Sequence, residues 1–393
     1  MKKRILVIIL GLLGVNSLKN NKIIYKNNYC IHNMILPKFT EVLNKPKNVI
    51  SNELKLLIDN LDNNFKKLEK KIKKKNKDKK IEESYYELTI NEIEKMEYDL
   101  DFYWGTITHL DSVKNNNVLR EIKEEIQPEI IKIYKYISQS KILYDGLEKA
   151  LNEDLSDIQK RIIEKELYGM RLNGVNLSKI KKKKYLEISL ELGNLSNKFN
   201  QNVLDSTKSY EMLIKEDKNM EEMPESALEL FSSNAENRKI KSDSKNGPWL
   251  ITLDVPSIQA FLTYYPESEK RKEIYKENIR KASYGKYDNT KNIYEILRLN
   301  KELSRMLGYK NYVELSLSNK MATKESINKL LNDISKKSKI KGKKDYKEIL
   351  KYSKKDNLDL WDIGYYLEKM KDNEFGFKQE DLKPYLEFNK VLN

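Results

Sequence analysis

Long stretches of this chain repeat apolar residues at steps of three and four, the spacing that places them on one side of an α-helix. Three stripes follow this rule: Leu54, Leu57, Leu61, Phe65, Leu68 and Ile72; Ile122, Ile126, Ile130, Ile133 and Ile137; and Tyr185, Ile188, Leu192, Leu195, Phe199 and Val203. Glycine and proline, which interrupt helices, number only 13 and 8 among 393 residues. The pattern predicts a mainly α-helical protein in which Pro128 bends or divides the second of these helices.

A small β element is predicted near the middle of the chain. Ser209–Ile214 and Trp249–Val255 are rich in residues that favour strands and are bounded by turn residues. Between them, Pro224 is expected to begin a helix and residues 234–248 to form a polar loop. Further helices are predicted at Glu267–Ala282, Asn289–Leu307, Tyr312–Leu317, Thr323–Tyr352 and Trp361–Asp372.

The formal net charge of +15 raises the alternative of a nucleic-acid-binding protein. Three basic runs, at residues 70–80, 181–184 and 336–344, carry lysine rather than arginine, the better residue for bidentate recognition of phosphate. Solvated helix faces are therefore the favoured interpretation, and no nucleic acid is expected as a partner. One cysteine, Cys30, excludes an intramolecular disulfide and a thiolate metal cluster.

The N-terminus has the pattern of a targeting segment. Basic residues 2–4 precede an apolar run at residues 5–15, which matches a signal peptide and is too short to span a bilayer. Residues 1–17 are thus predicted to be a signal-peptide-like leader, with a buried helix as the alternative. Residues 18–33 are basic and free of acids, as in transit segments. Delivery to an organelle, preferably a plastid, is predicted, with a mitochondrion or the cytoplasm as alternatives and no membrane span in the mature chain.

Several motifs follow one another in a fixed order. The segment Glu97–Glu121 contains a tryptophan, then HLDSVK, then LR, at Trp104, His109, Leu110, Val113, Lys114, Leu119 and Arg120. One further motif, Leu36–Pro46, lies before this segment. The others lie after it, at Phe199–Thr207, Pro248–Ser283, Asp288–Ala322 and Leu358–Leu386. Together these segments resemble the thimet oligopeptidase and oligopeptidase A family of zinc metallopeptidases, from about residue 34 to residue 393.

The resemblance implies a multi-helical, two-lobed fold around a deep channel that admits short peptides and excludes folded proteins. On that basis residues 34–206 are predicted to form an N-terminal helical domain and residues 207–265 a small β-containing connector. Residues 266–393 would be a helical segment leading into the catalytic domain. The implied activity is metalloendopeptidase cleavage of short peptides, such as cleaved transit peptides in an organelle.

Zinc is the metal that the resemblance implies, and the chain offers no ligands for it. The family holds zinc with an HExxH helix and a further glutamate, beyond the element that ends here at Leu386. Only His32 and His109 occur in the chain. No catalytic, cofactor-binding or metal-binding residue is therefore assigned, and the chain is expected to lack the C-terminal catalytic part and to be inactive alone. The catalytic half as a separate product is an expected partner, and a non-catalytic peptide-binding or scaffold remnant is the alternative.

Five residues are candidates for a supporting role. Tyr264 and Tyr265, with Tyr275 nearby, are candidates for the channel wall, because tyrosine contacts extended peptides well. Tyr365, Tyr366 and Glu368 are candidates for support of the catalytic region. For Tyr264, Tyr265 and Tyr275, packing inside the core is the favoured alternative.

Two further expectations concern packing. His109 with Asp111 is a weak pair of metal ligands, so a role in helix packing is favoured for His109, and Tyr103 and Trp104 are expected in the core. A fold that stops before its catalytic part should also expose apolar faces on helices such as Trp361–Asp372. Low solubility or dimerisation would follow.

Overall fold

Helices dominate the computed structural model, which describes residues 39–78, 82–376, 379–382 and 384–392. The predicted leader and transit-like segment, with His32 and Cys30, lie outside the described residues. The chain divides into two units, residues 1–44 and 45–393, and helix α1 (Phe39–Asn44) belongs to the first. None of the described helices combines the length and apolar character that crossing a bilayer requires.

The second unit begins with α2 (Lys47–Lys77) and continues with a run of helices. These are a π-helical turn at Glu87–Asn91, α3 (Glu92–Val113), α4 (Asn117–Ser138), α5 (Lys141–Ala150), α6 (Asp157–Leu172), α7 (Lys179–Ser209), a 3-10 turn at Lys218–Glu222, α8 (Glu225–Glu236), α9 (Val255–Tyr264), α10 (Ser268–Ile279), a 3-10 turn at Gly285–Tyr287, α11 (Thr290–Met306), α12 (Tyr312–Leu317), α13 (Lys324–Ser353), α14 (Leu360–Phe375), a 3-10 turn at Gln379–Leu382 and α15 (Phe388–Leu392). The mainly α-helical fold predicted from the sequence is confirmed.

The first apolar stripe forms the core of an N-terminal helical layer. All six of its residues on α2 are buried, and α3, α4 and α5 pack around this helix. Phe65 is fully buried and meets the ring of Tyr136 edge to face, with centroids 5.4 Å apart. Each such side chain contributes about 1.5–3 kcal/mol by leaving water, so this stripe anchors the layer.

Helix α4 is one continuous element, so Pro128 does not divide it, and the alternative that Pro128 bends the helix stays a prediction. Pro128 lies inside the helix and cannot donate a backbone hydrogen bond to Glu124. The stripe of five isoleucines on α4 is buried along the full length of the helix. Burial on both sides of the proline thus outweighs the one hydrogen bond that it removes.

The third stripe, on α7, connects the N-terminal layer to later helices. Tyr185 and Ile188 are buried with Leu299, Leu303 and Leu315 in one cluster, and Leu192 and Leu195 pack against it. Towards the end of the stripe the burial is weaker, because Phe199 is half-buried and Val203 is exposed. Helix α7 also packs against α4 and α11.

The β element is a two-stranded antiparallel sheet of β1 (Glu211–Ile214) and β2 (Trp249–Thr252), with Glu211 opposite Thr252 and Ile214 opposite Trp249. Both strands were predicted, but the second ends three residues before Val255, which instead begins α9. Pro256 favours a helix start at this point because its fixed φ fits the first turn. The sheet lies in a core cluster with α8, α9 and α10.

Exposed apolar side chains are concentrated in the last hundred residues of the described chain. On α14 they include Leu360, Leu367 and Phe375, as the sequence analysis expected for that helix. The others in this part are Ile293, Tyr294, Leu297, Tyr312, Val313, Met321, Leu330, Leu331, Ile334, Ile340, Leu382, Tyr385, Leu386, Phe388, Val391 and Leu392. The cause of this exposure stays a prediction.

Candidate functional site

The candidate residues meet at one junction of three helices. Helices α9, α10 and α14 pack against one another, which brings the end of α9 next to the first half of α14. Tyr264 and Tyr265 lie at that end of α9, whereas Tyr365, Tyr366 and Glu368 project from α14. Residues about a hundred positions apart in sequence thereby share one site, which we call the tyrosine junction.

Arg271 on α10 links the two groups of tyrosines. Its side chain is 1% exposed, and its Nη1 donates to the backbone oxygen of Tyr265 at 2.5 Å. Its Nε donates to the backbone oxygen of Trp361 at 3.2 Å, and its guanidinium lies over the ring of Tyr365, 4.3 Å from the centroid. These contacts join the end of α9 to the start of α14.

Asp362 on α14 compensates the buried charge of Arg271. The carboxylate forms an ion pair with Arg271 Nη2 and accepts a hydrogen bond of 2.7 Å from Ser268 Oγ. Ser268 Oγ accepts in turn from the indole Nε1 of Trp361 at 3.2 Å, and Lys355 Nζ lies 3.7 Å from the second carboxylate oxygen. A buried ion pair is stable only with such additional hydrogen bonds, so this network fixes the helices in one arrangement.

Tyr265 takes a packing position at the junction. Its ring is fully buried and stacks on Phe261 with centroids 4.3 Å apart. Its hydroxyl donates to Asp217, and Lys270 Nζ donates to both of them, at 2.6 Å to Asp217 and 3.0 Å to the hydroxyl. Burial raises the pKa of Asp217, but the hydrogen bonds from Lys270, Tyr265 and the backbone N–H of Asn219 outweigh it and lower the pKa to about 2.

The other candidate residues are half-buried. Tyr264 packs against the same core cluster as Tyr265. The rings of Tyr365 and Tyr366 meet edge to face with centroids 5.4 Å apart, and Glu368 forms an ion pair of 3.3 Å with Lys371. Each of these four residues thus remains partly in contact with solvent. The supporting roles of these residues stay predictions.

The sequence analysis missed Arg271, Asp362 and Ser268. Arg271 lies three residues before the buried Ile274 and three after Ser268, which places a charge on the apolar side of α10. Asp362 is likewise buried on its helix, next to Trp361. A charged residue on the buried side of a helix is the pattern that could have identified both.

A second candidate lies between α7 and α11. An open cleft of about 560 Å³ is lined by Lys181, Arg298, Lys301, Glu302, Arg305 and Met306. Glu302 pairs with Arg298 at 3.3 Å and with Lys184 at 3.6 Å, which offsets part of the positive charge. The cleft could attract anions, but it contains none of the predicted site residues.

Comparison with known proteins shows which family the chain belongs to. The model of peptidase family M3 matches residues 261–393, and that of the N-terminal domain of neurolysin and thimet oligopeptidase matches residues 54–182. A probable cytosolic oligopeptidase A of Arabidopsis thaliana is 35% identical over 328 residues, which are 80% of this chain and 46% of that protein. The chain belongs to peptidase family M3.

Other relatives are similar to the same extent. The organellar oligopeptidase A, chloroplastic/mitochondrial, of A. thaliana is 34% identical over 328 residues, 80% of this chain and 41% of the relative. Oligopeptidase A of Escherichia coli strain K12 is 33% identical over 304 residues, 74% of this chain and 44% of the relative. The chain thus spans less than half the length of each of these M3 relatives.

Zinc is the metal of family M3, and the residues described here do not fit it. Within residues 39–78, 82–376, 379–382 and 384–392, no group of three or more histidine, cysteine, aspartate or glutamate side chains is arranged to hold a metal ion. His109 is half-buried within α3. The neighbouring Asp111 forms an ion pair of 2.8 Å with Lys123, so its carboxylate is already engaged by a cation. Tyr103, which was predicted in the core, is buried there, and Trp104 is half-buried.

The tyrosine junction lies almost entirely in the segment that matches family M3. Of the residues named in its network, Asp217 and Asn219 precede residue 261, where that match begins. The junction contains aromatic faces, a fixed ion pair and hydrogen bonds, but no arrangement of nucleophile and base.

Proposed function

We propose that this chain is the peptide-binding part of an M3 oligopeptidase that cleaves short peptides. One observation carries the proposal: the segment that matches family M3 contains the tyrosine junction, where half-buried aromatic rings are held by a buried ion pair. Rings fixed in this way can contact an extended peptide without losing side-chain freedom on binding. The relatives at 33–35% identity are named oligopeptidases, which is consistent with peptides as ligands.

In this proposal Tyr264, Tyr365 and Tyr366 contact the peptide. Tyr265 supports them without contacting the peptide, because its ring is fully buried and its backbone oxygen accepts a hydrogen bond from Arg271. Glu368 supports α14 through its ion pair with Lys371.

The chemical step is assigned to the HExxH part of the family. The 393 residues contain no HExxH sequence, so we propose that they do not hydrolyse peptides alone. The zinc, its ligands and the general base would come from that part. A protein that binds peptides without any catalytic part is the second candidate, and it rests on the same absence of an HExxH sequence.

The test uses an internally quenched peptide of about 10 residues, short enough for a channel that excludes folded proteins. Hydrolysis is measured for this chain, for the HExxH-bearing remainder of the A. thaliana organellar oligopeptidase A, and for the two together. We expect cleavage only in the mixture, abolished by a zinc chelator. Cleavage by this chain alone would contradict the proposal, whereas an inactive mixture with intact peptide binding would select the second candidate.

Tyrosine variants assign the binding site in a separate peptide-binding assay. Tyr366→Ala should weaken binding of a fluorescent peptide to this chain by about tenfold, because one aromatic contact is lost. Tyr98→Ala, which truncates an exposed tyrosine on α3, is the matched control and should bind normally. Equal affinities of the two variants would remove the tyrosine junction from the binding site.

We further propose that the chain acts in an organelle, preferably a plastid. The support is the pattern of residues 1–33, together with a relative whose name places it in chloroplasts and mitochondria. Another relative is named cytosolic, so the two destinations must be distinguished. Residues 1–33 fused to a fluorescent protein should direct it to the plastid. A mitochondrial or cytosolic signal would replace this assignment.

A further inference from the structure

Helix α13 has an apolar stripe that is covered at one end and open at the other. Ile327, Leu330, Leu331 and Ile334 recur at helical spacing near the start of α13, and we call them the open stripe. Leu330 and Leu331 are 60% and 58% exposed, Ile334 is exposed as well, and Ile327 is half-buried. Leu330 and Leu331 are adjacent and lie on the same face as Ile334, so together they present one apolar surface to solvent.

The covered end of the same helix shows what kind of element fits this face. Near the end of α13, Ile349 is buried and the hydroxyl of Tyr352 donates to the backbone oxygen of Lys369 on α14 at 2.9 Å. Just beyond α13, Lys355 lies 3.7 Å from the carboxylate of Asp362 on α14. The covering element at this end is thus a helix, and it brings a backbone carbonyl to Tyr352 and a carboxylate to Lys355.

The charges beside the open stripe favour an occupant of the same kind. Helix α13 contains ten lysines and four acidic residues. At 100° per residue, Lys324 and Lys337 lie on opposite margins of the open stripe, and neither forms an ion pair within the described part of the chain. A carboxylate on the occupant would reach either of them.

The same charges disfavour a second copy of α13 as the occupant. Packing two such helices side by side would place the lysine margin of one next to the lysine margin of the other. The like charges of neighbouring lysines repel each other. The stripe is also short, about two turns between Ile327 and Ile334, so apolar burial alone would not offset much repulsion.

We propose that the open stripe binds an amphipathic helix with an apolar face and acidic residues along its margins. Leucines of the occupant would pack on Leu330, Leu331 and Ile334, and its carboxylates would pair with Lys324 and Lys337. This mode of recognition, a helix laid along an apolar face with charged margins, sets both the position and the direction of the partner. The proposal does not depend on peptide hydrolysis.

The probes are three synthetic peptides of about 20 residues, a length that allows a helix to form on binding. The first has a leucine stripe with glutamate margins, the second has lysine margins, and the third has serine in place of leucine. Binding to the full chain is measured by fluorescence anisotropy at two salt concentrations. We expect the first peptide to bind at least about tenfold more tightly than either of the others, and less tightly at high salt.

Matched variants of the chain place the site on α13. The double variant Leu330→Asp/Leu331→Asp should weaken binding of the first peptide by at least about tenfold. Ile340→Asp is the control: Ile340 is 75% exposed on the same helix, but about 130° around it from the centre of the open stripe. Lys324→Glu/Lys337→Glu should reverse the preference between glutamate and lysine margins. Circular dichroism checks that every variant keeps its helices.

Three outcomes would overturn the proposal. The first is a double aspartate variant that binds as the unmodified chain does. The second is self-association of the chain in analytical ultracentrifugation that the same variant abolishes, which would make a second copy the occupant. The third is tighter binding to anionic lipid vesicles than to the glutamate peptide, lost in the same variant, which would assign the stripe to a membrane surface.

Discussion

Helices α2 and α13 are nearly equal in length, at 31 and 30 residues, and both are lysine-rich with an apolar stripe. The stripe of α2 is buried along its length beneath α3, α4 and α5. The stripe of α13 is covered only where α14 reaches it. Periodicity thus predicts which side of a helix will be apolar. The number of other helices packed around that side decides whether it contributes to stability.

The largest expected difference between the two helices concerns single apolar side chains. Phe65→Ala on α2 should lower the free energy of unfolding by about 3–5 kcal/mol, because it leaves a cavity in a closed core. Leu331→Ala on α13 should change it by less than about 0.5 kcal/mol, because that side chain is already in water. Urea denaturation followed by circular dichroism measures both. Similar losses would mean that something covers α13 in solution.

The buried ion pair of the tyrosine junction should give the next largest effect. Arg271→Met leaves the carboxylate of Asp362 without its main partner, and we expect a loss of about 3 kcal/mol. Adding Asp362→Leu should restore part of this loss, which would yield a coupling energy of about 1–3 kcal/mol. On α13, Lys341→Met removes an exposed pair with Asp345 and should leave the free energy of unfolding without a measurable change. Additive losses at Arg271 and Asp362 would show that the pair does not act as a unit.

A pH experiment separates the lysines of the two regions. In the N-terminal layer, Lys135 Nζ lies 2.6 Å from Asn173 Oδ1 and 4.7 Å from the ring centroid of Tyr185, and burial lowers its pKa to about 8. A lysine whose pKa is lower in the folded than in the unfolded protein destabilises the fold fully below pH 8, and this penalty disappears as the pH rises towards 10.5. Lys135→Met should therefore stabilise the protein by about 2 kcal/mol at pH 7 and by less at pH 9.5. Lys337→Met, which removes an exposed lysine on α13, is the matched control, and urea denaturation at both pH values measures the difference.

The smallest expected difference concerns two helix caps. Ser156 caps α6 and Thr323 caps α13, each in a reciprocal capping box. Ser156→Ala should cost about 1 kcal/mol, whereas Thr323→Ala should cost less than about 0.5 kcal/mol because the first turns of α13 open without the rest of the fold. Hydrogen exchange with mass spectrometry should show faster exchange at the start of α13 than in α2. Equal protection of the two helices would remove this distinction.

Much of the fold could be predicted from sequence because the apolar residues of each stripe recur at the period of an α-helix. Tyr312–Leu317 was predicted at its observed bounds, and the bounds of α13 differ from the prediction by one residue at each end. Helix α9 was missed because its apolar residues follow a strand without a break and have no clear helical period. Pro256, in the first turn of α9, was the residue that could have indicated the start of this helix.

The candidate site was predictable only in part. The tyrosines of α9 and α14 stand out as paired aromatics, so sequence alone could propose them. Arg271 and Asp362 form their ion pair across 91 positions, and no local pattern indicates which acid a given arginine will meet. Partner choice depends on how the helices pack, which is a property of the folded chain.

The Arg271–Asp362 ion pair has a consequence for limited proteolysis. Helices α11, α12 and α13 all lie between its two partners in sequence, and the lysines of α13 are trypsin sites on an exposed helix. A single cut in α13 would therefore leave the two fragments bound to each other through the contacts of α9 and α10 with α14. The nicked protein should elute as one species in gel filtration and separate into two bands only in denaturant.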